Sequence, residues 1–432
     1  MHIKNPFSPG SRKIKKTDYL WLLAFSTVFF VYVYIAWITQ PGDHVRVIDF
    51  MDHFPAFNGD DSYRYFFYRQ AFTNLDLYSW NYILPVPLVL DGMILALFGD
   101  DVFLARTSHA FFAFVSLYFL YRTQRVLGVG TNLAATSVII IALMPVYALY
   151  SMSFYAESWF VFFITLVWLL FASKKYFSAA LVASLLPLIR PDGFFFLVPI
   201  FLFFIYKGKF KEFLALGFLG SVYFVWLVFS LGAENFGDYF LWRKTYREYV
   251  NHIRIPEVEY WYGFFVTFNF FWYFPVFIEA VKTKWKSPVF ILAISTIFVV
   301  AILLLTSFLG FGYYEPRYFI VFFPMGAVFF SLFFTRVLDG RNGFSLRHKV
   351  AGVVVVFIMA NHFLQNDEIR NRFFDGVRLP FYKKSGITHG LVNDKKEVRS
   401  RKEIISVVYS AIAEYPQIDA LFVPGYRDIY YL

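Results

Sequence analysis

Long apolar runs, each about 18–22 residues, recur along most of this chain and are separated by short basic or turn-forming stretches. That length is what a bilayer core of roughly 30 Å demands of a helix. The runs are continuous and do not alternate with period two, so they predict helices and argue against a membrane β-barrel. Spans are predicted near residues 19–38, 102–121, 132–149, 157–173, 176–189, 193–206, 213–231, 261–281, 287–308, 317–335 and 350–364, about eleven in all. A further apolar run at 86–98 is short and holds Pro87 and Asp91, with Pro85 just before it, so it reads as an interfacial or re-entrant piece.

Loop charge orients these spans. With the N-terminus on the cytoplasmic side, the inner loops carry Arg122 and Arg125, then Lys174 and Lys175, then Lys207, Lys209 and Lys211. They continue with Lys282, Lys284 and Lys286, then Arg336, Arg341, Arg347 and Lys349, while the outer loops hold few bases. Orientation by Lys and Arg requires this alternation. The first run follows Lys13, Lys15 and Lys16, and Thr39-Gln40-Pro41-Gly42 beyond it offers no small-x-small cleavage site, so it reads as a retained signal anchor.

The expected fold class is therefore an all-α polytopic membrane protein with two long outer segments. Residues 39–101 form a first extracytoplasmic loop with interfacial helices, and the transmembrane domain extends over 1–364. In the tail, 365–432, hydropathy falls. A helix at 395–414 with Ile404, Val407, Val408 and Ile412 on one face, followed by strand-like Ala420-Leu421-Phe422-Val423, predicts a small α/β soluble domain outside.

Composition sharpens this picture. Apolar residues make up 59% of the chain and aromatics 23%, with 60 Phe, far above soluble norms. The net charge of +10 is scattered in short runs between apolar segments, which retention at the inner face explains and nucleic-acid binding does not. With no cysteine, thiolate metal sites and cysteine nucleophiles are excluded. The expected location is the bacterial inner (plasma) membrane, with the C-terminus outside.

Against so apolar a background, four outer positions carry candidate chemistry. Asn58-Gly59-Asp60-Asp61-Ser62-Tyr63-Arg64 places two adjacent carboxylates before an aromatic helix. One of them could simply cap that helix. Two carboxylates side by side also repel, which can hold one basic enough to take a proton from a hydroxyl. Leu188-Ile189-Arg190-Pro191-Asp192-Gly193 is a tight outer turn whose Arg190 defies the charge rule. Pro191 and Gly193 alone would make such a turn, whereas the arginine offers a planar fork for an anion such as phosphate. Tyr313-Tyr314-Glu315-Pro316-Arg317-Tyr318 puts another arginine at an outer helix start, where an ionisable side chain either snorkels or serves a function. Glu157 starts the fourth span, a place the helix dipole favours for an acid. His44 and His53 share the first loop at a spacing that matches no recurring metal site, and they read as ordinary polar loop residues.

These residues resemble the motifs of the GT-C superfamily of integral-membrane glycosyltransferases, including the ArnT-like and protein O-mannosyltransferase-like families. Asp60-Asp61 with the following Ser62-Tyr63-Arg64-Tyr65 is similar to the family's acidic pair and aromatic helix. Leu84-Pro85-Val86-Pro87-Leu88, Leu97-Phe98-Gly99 and Ala105-Arg106 resemble the second half of its first loop and its second-span entry. Arg190-Pro191-Asp192-Gly193 and Pro316-Arg317-Tyr318 through Pro324 resemble its later basic-Pro and Arg-Tyr…Pro elements. The pair here is Asp-Asp where many members have Asp-Glu, and the first loop carries no second Asp-x-Asp element.

The resemblance implies an inverting transfer from a polyprenyl-phosphate-linked sugar donor to a lipid-linked or cell-envelope glycan acceptor, at the outer face of the bilayer. Asp60 would be the general base, with Asp61 and Glu157 completing the catalytic acids. Arg190, Arg317 and Tyr314 would hold the donor phosphate. No obligatory cofactor is implied. A divalent metal, where one is used, would have only carboxylates and histidines as ligands, and no particular metal-ligating residues stand out. Two other classes compete. A glycan polymerase or ligase uses the same kind of donor, but usually has its large outer loop late in the chain. A lipid-linked sugar flippase or transporter would carry charges near the bilayer midplane in duplicated halves, and no such repeat is visible here.

Overall fold

The computed structural model describes residues 21, 23–30, 32–33, 68, 72, 85–98, 102–142, 147, 156–226, 228–229, 279, 287–308 and 321–338. Among them every regular element is helical and no strand occurs. The elements are α1 (Pro85–Phe98), α2 (Val102–Val126), α3 (Thr131–Ala142), α4 (Ala156–Ala172), α5 (Tyr176–Ala183), a 3₁₀ turn (Leu186–Leu188), α6 (Gly193–Tyr206), α7 (Pro288–Phe308) and α8 (Phe322–Leu338). Residues 23–30 and 210–226 are helical as well. Among the described residues, no helix is long and apolar enough to cross a membrane.

Several expectations are met within a residue or two. The runs at 157–173, 193–206 and 287–308 appear as α4, α6 and α7. The run at 176–189 does not form one helix: α5 ends at Ala183 and the chain tightens into the 3₁₀ turn around Pro187, whose missing N–H cannot continue the α-helical ladder. The piece at 86–98 is helix α1, which buries Leu88, Asp91, Ile94 and Leu95 and leaves Met93 and Leu97 outside. A Cβ on its Gly92 would run into the Phe72 side chain and the Tyr68 carbonyl, so only glycine permits this approach.

Helix directions follow from which residues touch. His109 and Phe112 meet Trp159, and Phe119 meets Phe162, so α2 and α4 run parallel. Tyr147 bonds the Ala113 carbonyl and Ser137 bonds Gln124, so the chain through α3 runs back along α2. Tyr176 packs on Phe203 and Phe204 while the 3₁₀ turn abuts Gly193, so α5 and α6 are antiparallel. Phe323 meets Tyr147 and Ser331 reaches Gln124, giving α8 the direction of α2. These directions agree with the alternation that the loop charges predict.

The three helices α2, α4 and α6 end in one shared turn. Val129 N–H bonds the Gln124 carbonyl and Gly128 N–H the Arg125 carbonyl; the pairs Lys175–Leu170 with Lys174–Phe171, and Lys209–Phe204 with Gly208–Ile205, repeat the pattern. This is the 6→1 plus 5→2 closure that needs a left-handed residue just past the helix. Gly128 and Gly208 supply it with φ of 88° and 62°, and Lys174 adopts it with φ of 60°. The basic residues thus cluster where these helices stop, and Lys209 adds an ion pair to Glu212 and a stack over Tyr176.

The core is aromatic. Phe160, Phe171, Phe196, Phe204, Trp159 and Trp168 are fully or almost fully buried, each worth on the order of 1.5–3 kcal/mol or more of transfer free energy. Outward, α6 and the helix at 210–226 present Phe194, Leu202, Ile205, Phe218 and Val222 to the surroundings.

Candidate functional site

Because α2, α4 and α6 are parallel, their first turns gather at one end, opposite the lysines that follow α4 and α6. Five charged side chains and one histidine are buried there: Asp91, Arg106, His109, Glu157, Arg190 and Asp192.

Arg190 sits between the 3₁₀ turn and α6. Its Nε and Nη2 donate to the two oxygens of Asp192 at 2.9 Å each, and its Nη1 donates to Glu157 Oε1 at 2.7 Å. These bonds use three of the five N–H groups a guanidinium carries. Its carbon lies 5.3 Å from the centre of the Phe160 ring, and Phe160 stands three residues after Glu157, on the same face of α4. Asp192 occupies the N-cap position of α6 without making a side-chain cap. Capping would turn its oxygens toward the helix N–H groups, and the guanidinium has taken them instead. Gly193 completes the motif, since a Cβ there would strike the Leu186 carbonyl. The Arg-Pro-Asp-Gly sequence therefore encodes a closed fork, with glycine letting α6 begin against the turn.

A second group lies next along α4. Trp159 Nε1 donates to Asp91 Oδ1 at 2.8 Å, and Ser158 Oγ is 3.2 Å from His109 Nδ1. His109 Nε2 lies 2.8 Å from the same Asp91 oxygen. That contact is close in distance without a well-aligned ring N–H, the oxygen being shared with the indole. Asp91 is 0% exposed and His109 1%. Three consecutive residues of α4 thus hook three other elements: Glu157 the turn before α6, Ser158 helix α2, and Trp159 helix α1.

Of the residues singled out in the sequence, the structure brings Glu157 and Arg190 into direct contact. Asp60, Asp61, Tyr314 and Arg317 lie outside the described residues, as do the tail 365–432 and the span at 350–364. Among the described residues no group of three or more His, Asp or Glu side chains is placed to hold a metal ion. The sequence reading missed His109 and treated Asp91 only as a charge interrupting an apolar run. A buried acid flanked by apolar residues on both sides was itself the signal that a partner must cover it.

No known protein family's sequence pattern matches the chain, and no curated protein is significantly similar to it.

Proposed function

We propose that this chain is a polytopic membrane glycosyltransferase of the GT-C kind, moving a sugar from a polyprenyl-phosphate-linked donor to a glycan or lipid-linked acceptor with inversion. The observation that carries the reading is the bond between Glu157 and Arg190 at 2.7 Å, at the end of the bundle away from Lys174, Lys175 and Lys207. Of the motifs that resemble the family, Arg190-Pro191-Asp192-Gly193 lies at this end, against Glu157. Membrane residence is supported by the apolar side chains that α6 and the helix at 210–226 turn outward.

In this reading Asp60 takes the proton of the attacking hydroxyl, Asp61 and Glu157 are the accompanying acids, and the departing phosphate needs cations and no general acid. Arg317 and Tyr314 meet that phosphate. Arg190 joins them with its fork already set against two carboxylates, so Glu157 and Asp192 fix the guanidinium in place before the donor arrives.

The test is transfer by the purified full chain in lipid vesicles. It is offered polyprenyl-phosphate-linked hexoses and pentoses with an extract of cell-envelope lipids, and release of polyprenyl phosphate is followed. Donor-dependent release, lost on Asp60→Asn, is expected. Absence of release with every donor, from protein that melts cooperatively, would overturn the reading.

A further inference from the structure

Two neighbouring helices, α4 and α6, close with the same turn built on different residues. Gly208 supplies the left-handed residue after α6, as Gly128 does after α2, whereas Lys174 holds that place after α4 with φ of 60°. The turn itself requires no lysine, since glycine makes it twice without the steric cost that a Cβ incurs there. A backbone held against its intrinsic preference calls for a functional reason, and what lysine adds is an ammonium group. The two turns also meet. Lys209 Nζ stands 4.7 Å from the centre of the Tyr176 ring, and Tyr176 packs on Phe203 and Phe204. Residues 173–175 and 207–212 thereby join five lysines with one acid, Glu212, to which Lys209 donates at 2.9 Å. Lys174, Lys175, Lys207 and Lys211 are exposed.

Exposed aromatic side chains are interleaved with these lysines. Phe177 follows Lys175, Phe210 separates Lys209 from Lys211, and Tyr206 precedes Lys207, whose Nζ lies 5.3 Å from the centre of its ring. Away from the turns the surface becomes apolar. Phe213 meets Phe201 with ring centres 4.8 Å apart, which joins the helix at 210–226 to α6, and Leu202, Ile205, Leu214 and Phe218 stand exposed on the two. Lysines, then aromatic rings, then an apolar wall match an anionic phospholipid, whose phosphate meets the first and whose acyl chains meet the last. A nucleic acid would leave the wall uncovered, and a zwitterionic lipid would leave the cluster's positive charge unbalanced.

We infer that the turns after α4 and α6 form a headgroup site for an anionic phospholipid, with Lys174, Lys175 and Lys207 on its phosphate. The exposed faces of α6 and the helix at 210–226 lie along its acyl chains. Lys209, engaged with Glu212 and Tyr176, fixes the two turns against each other. This site rests on the membrane residence proposed above and not on the sugar transfer. It lies at the opposite end of α6 from Arg190, so the lipid bound here and a polyprenyl phosphate bound there occupy different surfaces.

The test titrates full-length protein in dodecyl maltoside with dioleoyl phosphatidylglycerol, dioleoyl phosphatidylcholine or glycerol phosphate, and follows the melting temperature by tryptophan fluorescence. Phosphatidylglycerol should raise it at concentrations about 100-fold below those phosphatidylcholine needs, and glycerol phosphate should not raise it. Each lysine near the headgroup contributes roughly fivefold, so the combined variant Lys174→Gly, Lys175→Gln, Lys207→Gln should need about 100-fold more phosphatidylglycerol. Lys174→Gly alone should melt above wild type without lipid yet respond to phosphatidylglycerol about fivefold more weakly, which a purely structural lysine would not do. Equal responses to the two phospholipids overturn the inference while leaving membrane residence standing, and this comparison needs no variant to fold. A combined variant with the wild-type midpoint overturns it as well, and so does glycerol phosphate acting as well as the lipid, because the apolar wall would then be idle. If neither phospholipid changes the melt, membrane residence itself fails and the site with it.

Discussion

Glu157 and Arg190 stand 33 residues apart in sequence and 2.7 Å apart in space, joined by a charge-assisted hydrogen bond where two parallel helices begin. The guanidinium's other partner, Asp192, is its neighbour but one, so the cluster couples a local turn to a distant helix. One arginine faces two carboxylates with little solvent, and removal of the cation leaves both acids buried and unbalanced. Arg190→Ala should therefore destabilise the protein by about 3–5 kcal/mol. Arg190→Lys should recover only part of this, since an ammonium cannot span both Asp192 oxygens. Thermal melting of detergent-purified variants measures both. A lysine variant as stable as wild type would show that the fork itself contributes nothing.

Gly193 and Gly217 make a contrasting pair. Gly193→Ala forces a methyl against the Leu186 carbonyl and should lower the melting temperature and disturb Arg190. Gly217 lies in the helix at 210–226 with open space around its Cβ position. There Gly217→Ala should raise stability by roughly 0.5–1 kcal/mol through helix propensity. The two melts should move in opposite directions.

Lys174 holds a left-handed backbone that its homologous turns give to Gly128 and Gly208. Lys174→Gly should relieve strain worth on the order of 1 kcal/mol, visible as a higher melting temperature. Lys174→Ala keeps the strained conformation and should not show that gain.

Trp159→Phe keeps an aromatic ring and deletes the indole donor to Asp91. With a buried carboxylate losing a hydrogen bond, the cost should be about 1–3 kcal/mol. Combining it with Asp91→Ala, which removes the acceptor, should cost less than the sum of the two single changes, and the shortfall is the coupling between them. Additive losses would mean that the 2.8 Å contact carries no energy.

For the proposed transfer, Asp60→Asn should reduce turnover by about 10²–10⁴-fold while donor binding persists. Arg317→Ala should weaken donor binding and slow release of polyprenyl phosphate, and Arg317→Lys should restore part of both. If Arg317 is only an anchor at the membrane edge, lysine will substitute fully and alanine will lower yield more than turnover per folded molecule.

Helix positions were legible because apolar run length and bounding turns are local properties: α6 begins and ends where Gly193 and the lysine after Tyr206 say it should. The alternation of direction was legible from Lys and Arg alone. What the sequence could not supply was partnership at a distance. Asp91 looks like a blemish in an apolar run, and nothing nearby reveals that an indole 68 residues later covers it. Arg190 illustrates the converse. Its exception to the charge rule marked it as special, yet the marking could not tell that Asp192 and Glu157 hold its fork in place. That arrangement depends on α4 and α6 starting at one level, which is a property of packing.

The hooks on α4 also impose an order of events on the growing chain. Asp91 is synthesised 68 residues before Trp159, and at roughly 5–20 residues per second that is a wait of several seconds. Until α4 is made, helix α1 carries a carboxylate in an apolar segment without the indole that bonds it. A nascent chain halted before residue 156 should therefore be the form most dependent on assistance, and completion of α4 the step that ends that dependence.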